Sequence, residues 1–172
     1  AEFETINAVG SRSFSIFNTT TKQIVFDSGD DFERYTAANL PTIYNADHED
    51  NVAKGRSRAK GPEPEGVTVA QIGTETFAFI SLERVGGVMV YNITNPNNVT
   101  FVDYKNSRST SAYAGDHGPE GITYIKPENS PNGTGYVLVA NEISGTITVF
   151  EVDANLLSAP NFNTDVKTFT IF

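Results

Sequence analysis

Four glutamates stand at two pairs of equivalent positions, and carboxylates placed in this way have a definite chemistry open to them, the binding of a cation. Glu65 and Glu120 each lie inside a Pro-Glu-Gly triplet, whereas Glu83 and Glu142 each follow an alternating apolar run and precede a turn. In an antiparallel pair the start of the first strand lies beside the end of the second, so Glu65 is expected near Glu83 and Glu120 near Glu142. Four carboxylates in one small region repel one another unless a cation, a shared proton or an arginine compensates. Calcium suits this inventory, because it is a hard ion that takes several oxygens from carboxylates, carbonyls and amide side chains such as that of Asn141. The plainer alternative is that each glutamate bonds loop backbone or pairs with Arg84 or Arg108.

Two histidines complete the polar inventory. His117, in Asp116-His117-Gly118-Pro119-Glu120, is placed for a proton donor or a ligand at the same edge, but a loop histidine of this kind is expected to be a polar surface residue. Asp47-His48-Glu49-Asp50 reads as a solvated loop. No GxSxG elbow, HExxH or phosphate-binding Gly-Lys-Ser/Thr loop occurs, and Asp30-Asp31 lacks the further ligands of an EF-hand. Serine-hydrolase, zinc-protease and nucleotide-binding readings therefore have no support.

The elements that position the glutamates form a repeat. Phe77–Ile93 aligns without a gap on Tyr136–Val152 at an offset of 59, and the two triplets are offset by 55. The four-residue difference is expected as an insertion in the loop-like stretch 128–135. A partial copy, Ser13-Phe-Ser-Ile-Phe17-Asn18, matches Gly87–Asn92 near the N-terminus. Short alternating runs separated by glycine turns at this period indicate propeller blades or another stacked β unit, each of which needs neighbours to bury its faces. The expected organisation is a hairpin forming the outer half of a blade at 1–30 (strands Ser13–Asn18 and Gln23–Asp27), then a helix at Asp30–Ala38 and a polar exposed loop within 31–63. A four-stranded blade follows at 64–104 (strands 67–71, 77–82, 88–93 and 100–104), then a connection at 105–118. A second blade occupies 119–172 (strands 122–125, 136–140, 146–152 and 167–172), with 153–165 as an outer loop. The fold class is all-β, a fragment of about two and a half propeller blades.

Composition narrows the partners. Twelve Lys+Arg against 21 Asp+Glu give a formal charge of −9, which disfavours nucleic acid and anionic membrane and favours a cation. Cysteine is absent, so neither disulfides nor thiolate metal sites can form. No apolar run approaches a membrane span and no signal peptide stands at Ala1-Glu-Phe, so export would require a signal already removed. Sequons at Asn18, Asn92, Asn98 and Asn132 are glycan acceptors only in a eukaryotic secreted context.

Several phrases together resemble one family. Lys60–Val67, Ala78–Tyr91, Gly118–Ile122, Val139–Thr146, Arg12–Phe17 and Val25–Asp31 look like the choice-of-anchor I proteins, which are similar to mesenchyme-specific cell surface glycoproteins. The resemblance implies a secreted or surface-anchored β-propeller in a larger protein. Some relatives carry an alkaline-phosphatase-like label, and related propellers include calcium-dependent phosphoesterases of the phytase kind. Family propellers are longer, so the chain looks like their C-terminal blades. The reading is a non-catalytic extracellular, cell-surface or periplasmic module for binding or attachment. Its divalent-cation site is expected at Glu65, Glu83, Glu120, Glu142 and Asn141, with Arg84, Arg108 and His117 as possible ligand-binding groups. Its partners would be further blades or copies of itself. The alternative is a calcium-dependent phosphoesterase, for which Arg84, Arg108 and Lys60 would supply the cationic groups.

Overall fold

The computed structural model describes residues 10–153 and the strand at 167–170. Strands β1 (Ser15–Phe17) and β2 (Ile24–Asp27) form a hairpin, and helix α1 (Asp31–Asn39) follows. Strands β3 (Pro64–Ile72), β4 (Glu75–Leu82), β5 (Val88–Asn92) and β6 (Thr100–Lys105) make one four-stranded sheet in sequential order. Strands β7 (Pro119–Ile125), β8 (Gly135–Asn141), β9 (Thr146–Val152) and β10 (Lys167–Thr170) make a second. All pairings are antiparallel, so the chain is an all-β propeller fragment with one short helix.

The repeat survives at the level of register. Phe77 pairs with Asn92 and Ser81 with Val88 in the first blade, while Tyr136 pairs with Glu151 and Ala140 with Ile147 in the second. Each pair in one blade maps onto the other at the offset of 59. The inner strands begin earlier than the sequence suggested, because each Pro-Glu-Gly triplet joins its strand through a bulge. Pro64 faces Leu82 before the ladder resumes at Val67 and Ile80, and Pro119 faces Asn141 before it resumes at Gly121 and Ala140. The added length between β7 and β8 is the 3-10 turn Pro127–Asn129 and the turn after it. The outer loop expected at 153–165, save Asp153, lies outside the described residues, as does the end of the last expected strand beyond Thr170.

Alternation along each strand gives each sheet two faces. One face of the first blade carries Phe77, Phe79, Val88 and Val90, which pack on Val137, Val139, Phe150 and Val152 of the second. Ile122 and Tyr124 of β7 close this layer, with the Tyr124 ring stacked 6.3 Å from that of Phe79. The opposite face of the first blade carries Ala78, Ile80, Met89 and Tyr91, and it is covered by Phe32 of α1, by Ile43 and Ala46, and by Phe14 of the hairpin. Burying each of the large side chains contributes roughly 1.5–3 kcal/mol, so the first blade holds the molecule together through both faces.

Candidate cation site at the strand ends

The bulges set where the glutamates go. Glu83 follows Leu82 and Glu142 follows Asn141, and each backbone N–H donates to the chain entering its inner strand: Glu83 to the Glu63 carbonyl and Glu142 to the Gly118 carbonyl, both at 2.8 Å. The two glutamates are therefore equivalent in structure as in sequence. The second blade abuts the first at this end: a Cβ on Gly66 would stand 2.6 Å from Ser81 Oγ of its own blade and 2.7 Å from the Glu120 carbonyl oxygen of the other.

Two groups of ligand atoms result. Glu63, Glu65 and Glu83 bring carboxylate oxygens within 4.8 Å of one another, and a His48 ring nitrogen and carboxylate oxygens of Glu83 and Glu142 do the same. Glu83 belongs to both, so the cluster spans both blades and the loop before β3. Glu63 and Glu83 are only 3% and 5% exposed, whereas Glu65 and Glu142 reach solvent. His48 Nδ1 lies 3.0 Å from Glu83 Oε1. Glu63 holds a left-handed backbone conformation, φ 55°, which non-glycine residues rarely adopt and which places its side chain under the strand ends.

Three cations share this space. Arg84 donates to Glu63 through Nε and lies 3.2 Å from both Glu83 Oε1 and Asp47 Oδ1. Lys60 pairs with Glu63, and Arg56 reaches Asp47 at 3.5 Å and Glu63 at 3.6 Å. Burial opposes the charge of Glu63, yet Lys60 and Arg84 hold its carboxyl below the usual glutamate range. Asp47 is likewise held low against its burial, by the His48 backbone N–H and by Arg84 and Arg56. Glu83 goes the other way: burial pushes its carboxyl up to about 7, Arg84 opposes, and Glu63 and Glu65 raise it further. A hydrogen bond between Glu65 and Glu83 adds to this rise. Two carboxylates that close need a shared proton or a cation between them.

The other residues singled out from the sequence are not among these ligand groups, though Arg108 and His117 bond the backbone of Arg84, Asp47 and His48. Glu120 is exposed and lines an open cleft with Gly121, Ala140 and Glu142. Asn141 is buried, and its amide nitrogen donates to Thr148 Oγ1 at 2.8 Å and Thr146 Oγ1 at 3.2 Å. Arg108 is 4% exposed and spends its guanidinium on the carbonyls of Arg84, Asp47 and Asp50 and on Asn51 Oδ1. Burial holds its pKa below the arginine norm. Two expectations are corrected here. His117 is 3% exposed, not a surface residue, with its ring against Tyr113 and Nε2 3.1 Å from the Ala114 carbonyl. Burial, helped by the Arg108 charge, lowers its pKa. The run Asp47–Asp50 is only partly a solvated loop: Glu49 and Asp50 are exposed, but His48 is buried with Asn45 and Ala46, because Arg108 binds the Asp47 and Asp50 carbonyls and the Lys54 and Arg56 N–H groups close turns on Tyr44 and Asn45.

His48 and Glu63 are the residues the sequence reading missed. Glu63 had a signal, since it stands two residues before Glu65 in Pro62-Glu63-Pro64-Glu65 and aligns with no second-blade acid. His48 had none, because only the folding back of its loop brings it to the strand ends.

Gigasin-3a of Magallana gigas is 29% identical over 175 residues, an alignment covering 91% of this chain and 62% of the relative. The chain thus spans less than two thirds of that protein's length. No solved structure gives a significant match. A model of the choice-of-anchor I domain matches residues 1–96, more than half of the sequence and all of the first blade through β5, and the chain belongs to the choice-of-anchor I domain family.

Proposed function

We propose that this chain forms part of a non-catalytic, extracellular or cell-surface propeller whose blades are stapled at one end by a divalent cation, calcium before magnesium. The family assignment supports the surface location, and among the described residues no helix is long and apolar enough to cross a membrane. The observation that carries the cation is the convergence of Glu63, Glu65, Glu83 and Glu142 from both blades onto overlapping groups whose ligand atoms lie within 4.8 Å. Charge counting agrees. Asp47, Glu63, Glu65, Glu83 and Glu142 offer five negative charges, and Arg56, Lys60 and Arg84 offset three of them. A divalent ion would balance the remainder, and without it a proton on Glu83 serves in part. Carboxylate oxygens suit calcium, and His48, which lies against Glu83, would stay outside its shell.

The phosphoesterase alternative needs free cationic groups beside the metal to hold a phosphate. Lys60 and Arg84 are paired with carboxylates and Arg108 is buried among carbonyls, so no observation favours it. A bound ion stabilises by about 2.7 kcal/mol at one hundred times its dissociation constant. Calcium is therefore expected to raise the melting temperature and chelator to lower it. Glu142→Gln should blunt the response and Glu151→Gln, on the far side of β9, should not. Calcium titrated calorimetrically with no heat and no change in the melt would leave Arg56, Lys60, Arg84 and the Glu83 proton as the compensation and end this reading.

A further inference from the structure

A bulge in the outermost strand of the first blade re-aims one aromatic ring. Val90 pairs with Asp103 but Tyr91 pairs with Phe101, so Val102 is the extra residue of β6. Tyr104 belongs to the face that α1 covers, and strict alternation from it would put Val102 on that face and Phe101 on the other. The bulge exchanges them. Val102 packs on the layer shared with the second blade, and Phe101 comes to lie opposite Tyr91 on the α1 side, with ring centroids 5.6 Å apart. There it sits 5.0 Å from the Tyr35 ring and stays 42% exposed.

Phe101 thereby forms one wall of an open groove of about 360 Å³, lined by Asp31, Arg34, Tyr35 and Ala38 of α1 and by Tyr91 and Phe101 of the sheet. This volume is in the range of ligand pockets, roughly 300–1,000 Å³. The four helix residues stand at i, i+3, i+4 and i+7, which is one helix face. Such a face ordinarily closes on its sheet with apolar side chains, but here it carries an ion pair, and the short side chain of Ala38 leaves the space open. Asp31 accepts from Arg34 and, at 3.4 Å, from the Tyr91 hydroxyl, which takes two of its roughly four lone-pair sites. Arg34 also lies 3.5 Å from Asp30, and its side chain is 68% exposed, so guanidinium donors face solvent. The connection 105–118 that leads into the second blade carries no helix, so the groove is no product of the repeat.

We propose that this groove binds a neutral saccharide of the β-glucoside class. Asp31 and Arg34 cancel in charge, so an organic cation would meet Arg34 beside the rings and an anion would meet Asp31. A gluco-configured pyranose has axial C–H groups on its flat faces and vicinal equatorial hydroxyls around its rim. The C–H face suits the negative face of an aromatic ring, with Phe101 and Tyr35 as the platform. The rim suits a carboxylate acceptor beside a guanidinium donor, both of which make charge-assisted hydrogen bonds. Tyr91 pairs with Ala78, toward the opposite end of the sheet from Leu82 and the glutamates, so the inference is independent of the cation.

The test is saturation-transfer NMR on the 172-residue chain with methyl β-D-glucopyranoside and cellotriose, with tetramethylammonium and inorganic phosphate run beside them. Both sugars are expected to receive saturation and to shift the Tyr35 and Phe101 resonances, cellotriose at the lower concentration, in chelator as in calcium. Ala38→Leu fills the groove without removing any of its polar or aromatic groups and should abolish the transfer with the melting temperature kept. Phe101→Ala should weaken binding about tenfold. No transfer to either sugar, or binding undiminished in either variant while its melt shows it folded, would overturn the proposal. Tetramethylammonium or phosphate shifting the same resonances in place of the sugars would assign the groove to an ion and overturn it as well.

Discussion

Glu83 is where the electrostatics of the strand ends can be read directly. Its folded carboxyl titrates near 7 against an ordinary value of 4.5, so between those pH values the folded state holds a proton that the unfolded chain has released. Folding therefore gains from Glu83 fully at low pH and loses that gain as pH rises through 7. In chelator, the melting temperature should fall from pH 5 to pH 8, and Glu83→Gln should flatten the slope. Asp47 and Glu63, whose carboxyls are held low, contribute in the opposite sense. Their share is present above the ordinary carboxylate range and is lost only as pH falls below it, so it does not mask the Glu83 window. With calcium present the proton and the ion compete for Glu83, and the calcium-induced shift should grow from pH 5.5 to pH 8. A melt independent of pH in chelator would mean that Arg84 neutralises Glu83 fully.

Between the blades the connection 105–118 is fastened by Asp116, which accepts hydrogen bonds from Ser107 Oγ, Thr146 Oγ1 and Thr148 Oγ1 at 2.5–2.7 Å. Asp116 and Thr148 are 5% and 1% exposed, so removing the carboxylate leaves a buried hydroxyl without its acceptor. Asp116→Ala is expected to cost about 3 kcal/mol, measured by denaturant unfolding. Asp116→Asn should cost less because one acceptor oxygen remains. An unchanged midpoint for Asp116→Ala would show that the connection is held by Arg108 alone. At this scale the sequence was informative wherever periodicity operates. β9 runs from Thr146 to Val152 as expected, and α1 was placed one residue early at each end. The stretch from Asn45 to Glu63 reads from its composition as an exposed loop, ordered only if something holds it, and Glu49, Asp50, Val52, Lys54 and Arg58 are exposed, but Asn45, Ala46, His48 and Glu63 are buried because Arg12 and Arg108 bind its carbonyls from elsewhere in the chain. Composition records polar residues but not who their partners are. The same blindness separated the candidate site into a legible part, the repeated Glu65, Glu83 and Glu142 and the pairing of Arg84 with Glu83, and an illegible part, Glu63 and His48, while Glu120 falls outside the ligand groups.

Across the whole molecule the two blades are unequally supported, and this asymmetry has a measurable consequence. Strands β4 and β5 are buried on both faces, by the second blade through Phe79 and Val90 and by α1 and the hairpin through Ile80 and Tyr91. Strands β8 and β9 have one face in that core, while Tyr136, Leu138, Ile147 and Val149 on the other remain partly open to solvent. Opening the second blade sacrifices one apolar layer, whereas opening the first sacrifices two, so the free energies of local opening should differ. Native-state hydrogen exchange of the 172-residue chain should show the slowest amides in β4 and β5 and measurably faster exchange in β8 and β9. Phe79→Leu should narrow the gap by loosening the shared layer, and Phe32→Leu should loosen only the first blade. Equal protection of all four strands would mean that the blades unfold as one unit and that the open face of the second blade costs nothing.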